Sequence, residues 1–345
     1  MYISSPFKHR TVQASILFLL VLLLTACGGT TGSTSTSGTI TGPVGKITEF
    51  SLPSTFGSPE WITRGPDGNL WFTEYQTGEI GRITPTGTAT QFAIPSGNAA
   101  NSITTGPDDN LWFTESGNEI GRITPTGTVT EFSAQPGDSI VTGKDDHLWF
   151  TESGNEIGRI TSAGTVTQFT TPANPVSTGA QPNEGNTITL GADGNLWFIT
   201  PVVSKIERIT PSGTVTQFPL SATAGSPLSI TAGPDGNLWF TETQNYIGRI
   251  TPQGTITEFP LTISNRYPYE ITAGPDGNLW FTETDQSQNG LIGHITPDGK
   301  INEFTLPKAS SLSSPSGIAA GPDGNLWFTL PGTQQIGYIT SGVRQ

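Results

Sequence analysis

A single cysteine, Cys27, excludes an intrachain disulfide framework. Histidine is almost as scarce. His9 lies in the first ten residues, His147 falls in a turn, and His294 stands where related segments carry arginine. None falls in a loop suited to presenting a general base, so imidazole chemistry is not expected. Charged residues make up only 12%, and the 15 Lys and Arg are outnumbered by 28 Asp and Glu. Such a chain is not expected to bind nucleic acid, whose phosphates need basic side chains. The acidic balance suits cationic ligands or metal ions. No helical period appears after residue 26. Thr, Ile, Phe and Trp dominate the patterned segments there, which favours strands.

Glycine (43) and proline (27) are abundant, and they recur in register. They therefore read as turns rather than as disorder. The segment Gly233-Pro-Asp-Gly-Asn-Leu-Trp-Phe-Thr-Glu242 appears seven times with small changes, marked by Trp71, Trp112, Trp149, Trp197, Trp239, Trp280 and Trp327. The gaps between these tryptophans run from 37 to 48 residues, the length of a four-stranded propeller blade. Within one copy, Leu228–Gly233, Leu238–Glu242, Ile247–Ile250 and Thr255–Phe259 read as four strands. Tight turns at Pro234–Asn237 and Thr251–Gly254 join them into a meander.

The seventh copy stops near Gln345 without its fourth strand, and the missing pattern, Lys46-Ile-Thr-Glu-Phe50, precedes the first copy. The expectation is an all-β, seven-bladed propeller over residues 45–345. Its N-terminal strand closes the last blade, which removes the exposed edges.

Residues 1–26 have the form of a lipoprotein-type export signal. A basic start, Lys8-His9-Arg10, precedes an apolar run from Ala14 to Leu24. The run ends in Leu24-Thr25-Ala26-Cys27, which resembles the bacterial lipobox and marks Cys27 for lipidation. An ordinary cleavage site with an incidental cysteine is the other reading. Residues 27–44 carry that cysteine and a Gly/Ser/Thr stretch expected to be a flexible tether. The protein is then expected in the cell envelope, outside the cytoplasm, as a monomer held to the membrane by lipid alone.

Function is expected on the rim opposite the Pro-Asp-Gly turns, where the loops are longer and the axis opens. Glu74, Glu115, Glu152, Glu242 and Glu283 follow Trp-Phe-Thr and reach that rim. Two readings are open for them. They pair across strands with Arg82, Arg122, Arg159 and Arg249, or some converge on Mg2+ or Ca2+, with Glu242 and Glu283 the first candidates. Glu60, Trp61, Tyr75, Tyr246, Tyr267, Tyr269 and Glu270 are candidate ligand-binding residues, beside Asp138, Glu184, Arg64 and Arg266. Aromatic faces among scattered polar groups suit sugars or aromatic peptides, although isolated exposed aromatics are also ordinary.

Ile230-Thr-Ala-Gly-Pro-Asp-Gly-Asn-Leu-Trp-Phe-Thr-Glu242 followed by Ile247-Gly-Arg-Ile-Thr-Pro252 closely resembles the repeats of the streptogramin B lyase (virginiamycin B lyase) family, and the likeness covers all seven copies. The resemblance implies a seven-bladed propeller. It also implies Mg2+-assisted linearisation of a cyclic depsipeptide, with a histidine removing the α-proton and the ester C–O bond breaking by elimination. The family's working patterns are Pro-His-x-Ile-Thr, Glu-Pro-His, and a glutamate after the last Trp-Phe. At those positions stand Tyr269, Ser314-Pro315-Ser316 and Leu330. The equivalents of the first histidine in other copies are Glu60, Asn101, Asp138, Asn186 and Leu228. Two functions are carried forward. One is a small-molecule- or protein-binding module on the axial rim without the lyase chemistry. The other is a metal-dependent enzyme, a carbon–oxygen lyase or an ester- or lactone-cleaving enzyme.

Overall fold

In a computed structural model of the chain, the described residues are 43–152, 156–172, 187–199, 204–220, 225–287, 289–307 and 314–343. The signal segment, Cys27 and nearly all of the tether lie outside them, as do Glu184 and Asn186. Twenty-eight strands form seven four-stranded antiparallel sheets. The first sheet runs Pro59–Arg64, Leu70–Glu74, Glu79–Ile83, Ala89–Ala93. The inner strands of the seven sheets are Pro59–Arg64, Ala100–Thr105, Gly137–Thr142, Ile188–Leu190, Pro227–Ala232, Arg266–Ala273 and Ile318–Ala320. Each contacts the next, and the last contacts the first, so they enclose an axis. The seven-bladed propeller expected from the tryptophan spacing is the observed fold. Among the described residues the one helix is the short 3-10 turn Pro331–Thr333, and no helix is long and apolar enough to cross a membrane.

The repeated residues make each blade and join it to its neighbours. All seven tryptophans are fully buried, and each packs with residues of the following blade, as Trp197 does with Ile230, Leu238 and Phe240. Asp67 of the first Pro-Asp-Gly turn accepts the Trp71 indole N–H at 3.0 Å and the Asn69 backbone N–H at 3.2 Å, and equivalent indole bonds recur in every blade. In six blades the Phe after the Trp lies against the Gly of the third strand, and in the fourth Phe198 stands opposite Glu207. A Cβ on Gly81 would sit 2.1 Å from the Phe72 ring, so no larger residue fits there.

The third-strand arginines do not pair with the second-strand glutamates, which corrects one of the two sequence readings. Strand register sets Trp71 opposite Arg82, and Glu74 opposite Glu79. Arg82 therefore lies at the turn end of the blade. It is 3.7 Å from Asp67, stacks over the Trp71 and Phe92 rings, and donates to Pro125 O of the next blade at 2.9 Å. Arg122, Arg159, Arg208 and Arg249 repeat the ion pair and the ring contacts.

The ring closes through the expected strand. Ile47–Ser51 pairs antiparallel with Gln335–Thr340. The turn that leads into it is split between the chain ends. In an intact turn, Thr84 N–H donates to Thr88 O, Gly87 N–H to Thr84 O, and Thr88 N–H to Thr84 Oγ1. At the seam, Thr340 N–H donates to Lys46 O, Gly45 N–H to Thr340 O, and Lys46 N–H to Thr340 Oγ1. Gly45 adopts φ 89°, as Gly87 adopts 92°, and it covers Phe304 as Gly87 covers Phe50.

Candidate axial-mouth site

Five of the seven inner strands are bulged at the end away from the Pro-Asp-Gly turns. In the first blade Pro59 pairs with Glu74 and Ile62 with Phe72, so Glu60 and Trp61 together face Thr73. The same shift occurs at Asn101-Ser102, Asp138-Ser139, Leu228-Ser229 and Tyr269-Glu270. A bulge turns the strand and re-aims side chains. Here it presents one or two residues per blade where the axis opens.

The threonine of Trp-Phe-Thr holds the bulge. Thr73 Oγ1 accepts the Trp61 N–H at 3.1 Å, with equivalents at Thr114, Thr151, Thr241, Thr282 and Thr329. Its hydroxyl proton then goes to the following blade. Thr241 donates to Tyr269 O at 2.7 Å, Thr282 to Ser316 O at 2.8 Å, and Thr329 to Glu60 O at 2.6 Å across the seam. These buried threonines fix the mouth, and the sequence reading passed over them. The signal was their presence in six of the seven repeats, with Ile199 in the fourth, next to the position of the glutamate that drew attention instead.

The second bulge residue contributes a further link between blades. Ser139 Oγ accepts the Ile188 N–H, Thr187 Oγ1 the Ile230 N–H, and Ser229 Oγ the Ile271 N–H. Trp61, at this position in the first blade, is half-buried and packs with Trp71, Ile80 and Ala100 between the first two blades. Its role as a ligand platform is accordingly limited. Glu270 occupies the position in the sixth blade. It is half-buried, crowding pushes its carboxyl well above the usual range, and no hydrogen bond reaches its side chain from the described residues.

Among the first bulge residues, Asn101 Nδ2 donates to Gly137 O at 2.9 Å. Ser316 Oγ donates to Glu60 Oε2 at 2.9 Å, with Ser58 Oγ 3.4 Å from Oε1. Burial raises the Glu60 carboxyl above its ordinary range despite these bonds. Tyr269, at the equivalent position of the sixth blade, is half-buried. The other tyrosines are more peripheral. Tyr246 begins a third strand opposite Glu242, Tyr75 follows a second strand, and Tyr267 is exposed and accepts from Gln286 Nε2 at 3.3 Å. Arg64 sits at the turn end of its strand, off the mouth, and Arg266 lies 3.6 Å from Asp285.

Glu242 and Glu283, the proposed metal ligands, do not converge at the axis. They belong to a set of wholly buried glutamates directed outward between blades, toward the fourth strands. Glu74 Oε2 accepts from Gly57 N–H, Thr77 Oγ1 and Gln91 Nε2 at 2.7, 3.2 and 2.8 Å, and Glu152 Oε2 from Gln168 Nε2 at 2.9 Å. Glu115 accepts from Ser96 Oγ, and burial, with Glu131 and Glu119 adding like charge, pushes it to about 7. Among the described residues Glu242 accepts one bond, from Gly225 N–H at 3.1 Å, and burial beside Glu258 pushes it to about 7. Glu283 has no donor on either oxygen, and burial beside Glu303 pushes it to about 8. Burial thus favours the neutral carboxyl in this set, most strongly at Glu283. Among the described residues no group of three or more His, Cys, Asp or Glu is placed to hold a metal ion. At the positions matching the lyases' working residues, Tyr269, Ser316 and buried Leu330 offer a phenol, a hydroxyl and an aliphatic chain. That donor set does not fit a hard divalent cation.

Both described histidines are at the opposite end. His147 Nδ1 lies 2.6 Å from Asp145 O in a Pro-Asp-Gly-type turn. His294 stands opposite Trp280, with Asn302 Nδ2 2.9 Å from its Nε2.

The model of the virginiamycin B lyase family matches residues 30–183 and 175–344. The chain superposes on a streptogramin B lyase structure with a TM-score of 0.75 at 33% identity, covering 86% of this chain and 97% of the other. A catalytically inactive histidine-to-alanine variant of virginiamycin B lyase from Staphylococcus aureus with quinupristin gives a TM-score of 0.75 at 35% identity, covering 86% and 99%. A curated virginiamycin B lyase from Saccharopolyspora erythraea is 49% identical over 45 residues, which is 13% of this chain and 15% of that protein. The extracellular domain of a hybrid two-component system from B. thetaiotaomicron shares the fold alone, with a TM-score of 0.62 at 14% identity, covering 88% of this chain and 44% of the other.

Proposed function

The chain belongs to the virginiamycin B lyase family, and we propose that it binds a ligand at the axial mouth without the lyase reaction. The observation that carries this reading is the placement of imidazoles. His147 and His294 both lie at the turn end, while Tyr269 and Ser316 stand where the resemblance implies histidines. Neither a phenol nor a serine hydroxyl near neutral pH removes an α-proton without strong activation, and among the described residues the Ser316 hydroxyl is committed to Glu60. The relative inactivated by loss of one histidine is nonetheless described with quinupristin. A family propeller that lacks an imidazole can therefore still hold a ligand, although fold likeness does not by itself assign one.

The proposed setting is the cell envelope. The basic start, apolar run and Leu24-Thr25-Ala26-Cys27 support export and lipidation, with the propeller on a Gly/Ser/Thr tether. The test incubates the full chain with a streptogramin B and Mg2+. Elimination opens the ring without changing mass, so the product is sought by chromatographic retention and fragmentation. Saturable binding of intact macrocycle, weakened by Tyr269→Ala, is expected. Ring-opened product would overturn the reading.

A further inference from the structure

We propose that Glu115 and Glu131 of the second blade share one proton, which makes the loop over residues 96–98 a pH-sensitive clasp behind the axial mouth. The first blade shows how the same place is held without it. There Gln91 of the fourth strand stands opposite third-strand Gly81. Its Oε1 accepts from Thr55 Oγ1 of the preceding loop at 3.1 Å, and its Nε2 donates to Glu74 Oε2 and to Glu79 Oε2, each at 2.8 Å. One amide thus ties a loop to two carboxylates.

In the second blade the register is the same and the amide is gone. Glu131 stands opposite Gly121, with Glu115 and Glu119 at the strand positions of Glu74 and Glu79. Glu131 Oε1 still accepts from the loop, here from the Ser96 N–H at 2.9 Å. Its second oxygen is left for the place of the Gln91 amide, where it offers no hydrogen. Ser96 Oγ donates to Glu115 Oε2 at 2.8 Å, so both acids meet at one residue. Asn98 Nδ2 donates to Glu119 Oε2 at 3.0 Å. Glu115 is wholly buried, and its Oε1 has no partner among the described residues. The ion pairs of the described residues include none of these three acids.

Three carboxylates facing one another without a cation repel, and a proton held by two of them removes one charge and restores the missing donor. Burial first, then Glu131 and Glu119, push the Glu115 carboxyl in the direction this requires, from 4.5 to about 7. The clasp is therefore complete below about pH 4.5 and is lost as pH rises through about 7. Glu131 is the half-buried member, on the outermost strand. Once both acids are ionised it turns to water and releases the Ser96 N–H. The freed loop feeds the inner strand Ala100–Thr105, whose Asn101 reaches Gly137 O of the next blade at the mouth. The same exchange of amide for acid occurs at Glu258 and Glu303, opposite Gly248 and Gly293. In the sixth blade the loop again holds the acid, through Thr262 Oγ1 to Glu303 Oε2 at 2.7 Å.

The test follows amide hydrogen exchange of the full chain by mass spectrometry from pH 6 to 9, with intrinsic rates divided out. In the wild type, segment 94–100 should lose about tenfold in protection over that range, while segment 53–59, clasped by Gln91, should not. Glu131→Gln supplies the amide of the first blade and should abolish the loss. Gln91→Glu makes the reverse exchange and should carry the pH dependence to segment 53–59. Equal pH dependence of the two loops in the wild type, persistence of the loss in Glu131→Gln, or no new loss in Gln91→Glu would each overturn the inference.

Discussion

Glu283 is wholly buried, no donor reaches either carboxylate oxygen, and Glu303 lies beside it. Burial is the largest cause of its rise from 4.5 to about 8, Glu303 adds to it, and Arg266 opposes it. A folded-state value above the unfolded one means stability is fully present below about pH 4.5 and is lost as pH rises through about 8. At about 1.4 kcal/mol per unit, the full rise corresponds to roughly 5 kcal/mol. Glu283→Gln keeps the shape, removes the titration, and offers an amide N–H to Glu303, whose Oε1 is also without a partner. The variant should match the wild type at pH 5 and gain on it as pH rises. Allowing for relaxation of the site, the gain at pH 9 should be about 2–4 kcal/mol, or roughly 4–8 °C in Tm. The assay is thermal unfolding by circular dichroism from pH 5 to 9 for both proteins. A difference in Tm that does not change with pH would refute the reasoning. A wild type that is more stable at pH 9 than at pH 5 would refute it more broadly, because Glu115 and Glu242 act in the same direction.

Thr241→Val removes the acceptor for Ser229 N–H and the donor to Tyr269 O. It should cost about 1–3 kcal/mol in denaturant unfolding and weaken ligand capture at Tyr269. His294 interrupts the Arg series, lies against Trp280 and has an unpartnered Nδ1. His294→Arg, which restores the ion pair with Asp276 and the ring contacts of the other blades, should raise Tm by about 1–3 °C; a fall would show that the seam rejects the longer side chain. Cys27→Ser should move the protein from the membrane fraction to the soluble envelope fraction, as expected for loss of a lipid anchor; unchanged fractionation would remove lipidation from the account.

The architecture was legible because tryptophan and the aspartate of the turn before it recur in every blade, and the third-strand glycine in all but the fourth, each with one structural use. That redundancy also exposed the missing fourth strand at Gln345 and its replacement near Ile47. The glutamates were harder. Pairing Glu74 with Arg82 overlooked the hairpin itself, whose short loop places Glu74 opposite Glu79 and sends Arg82 back to the Asp67 turn. The glutamates instead turn outward, Glu74 to Gln91 and Glu152 past Gly158 to Gln168. The bulges leave no mark in alternation, since two residues answer one. Their position came only with Thr73 and its equivalents seen bonding across blades. Tyr269 and Glu270 were named from sequence as rim residues, but the bulge that places them together opposite Thr282 required coordinates.

The seam through Thr340 and Gly45 is chemically the same turn as the one at Thr84–Thr88. The molecule therefore has no privileged starting blade. Joining the present ends by a short linker and reopening the backbone between Pro125 and Gly127 would yield a permuted polypeptide with the same ring. Where a partner domain or surface should be attached then becomes a choice among seven equivalent exits on the rim that carries the Pro-Asp-Gly turns.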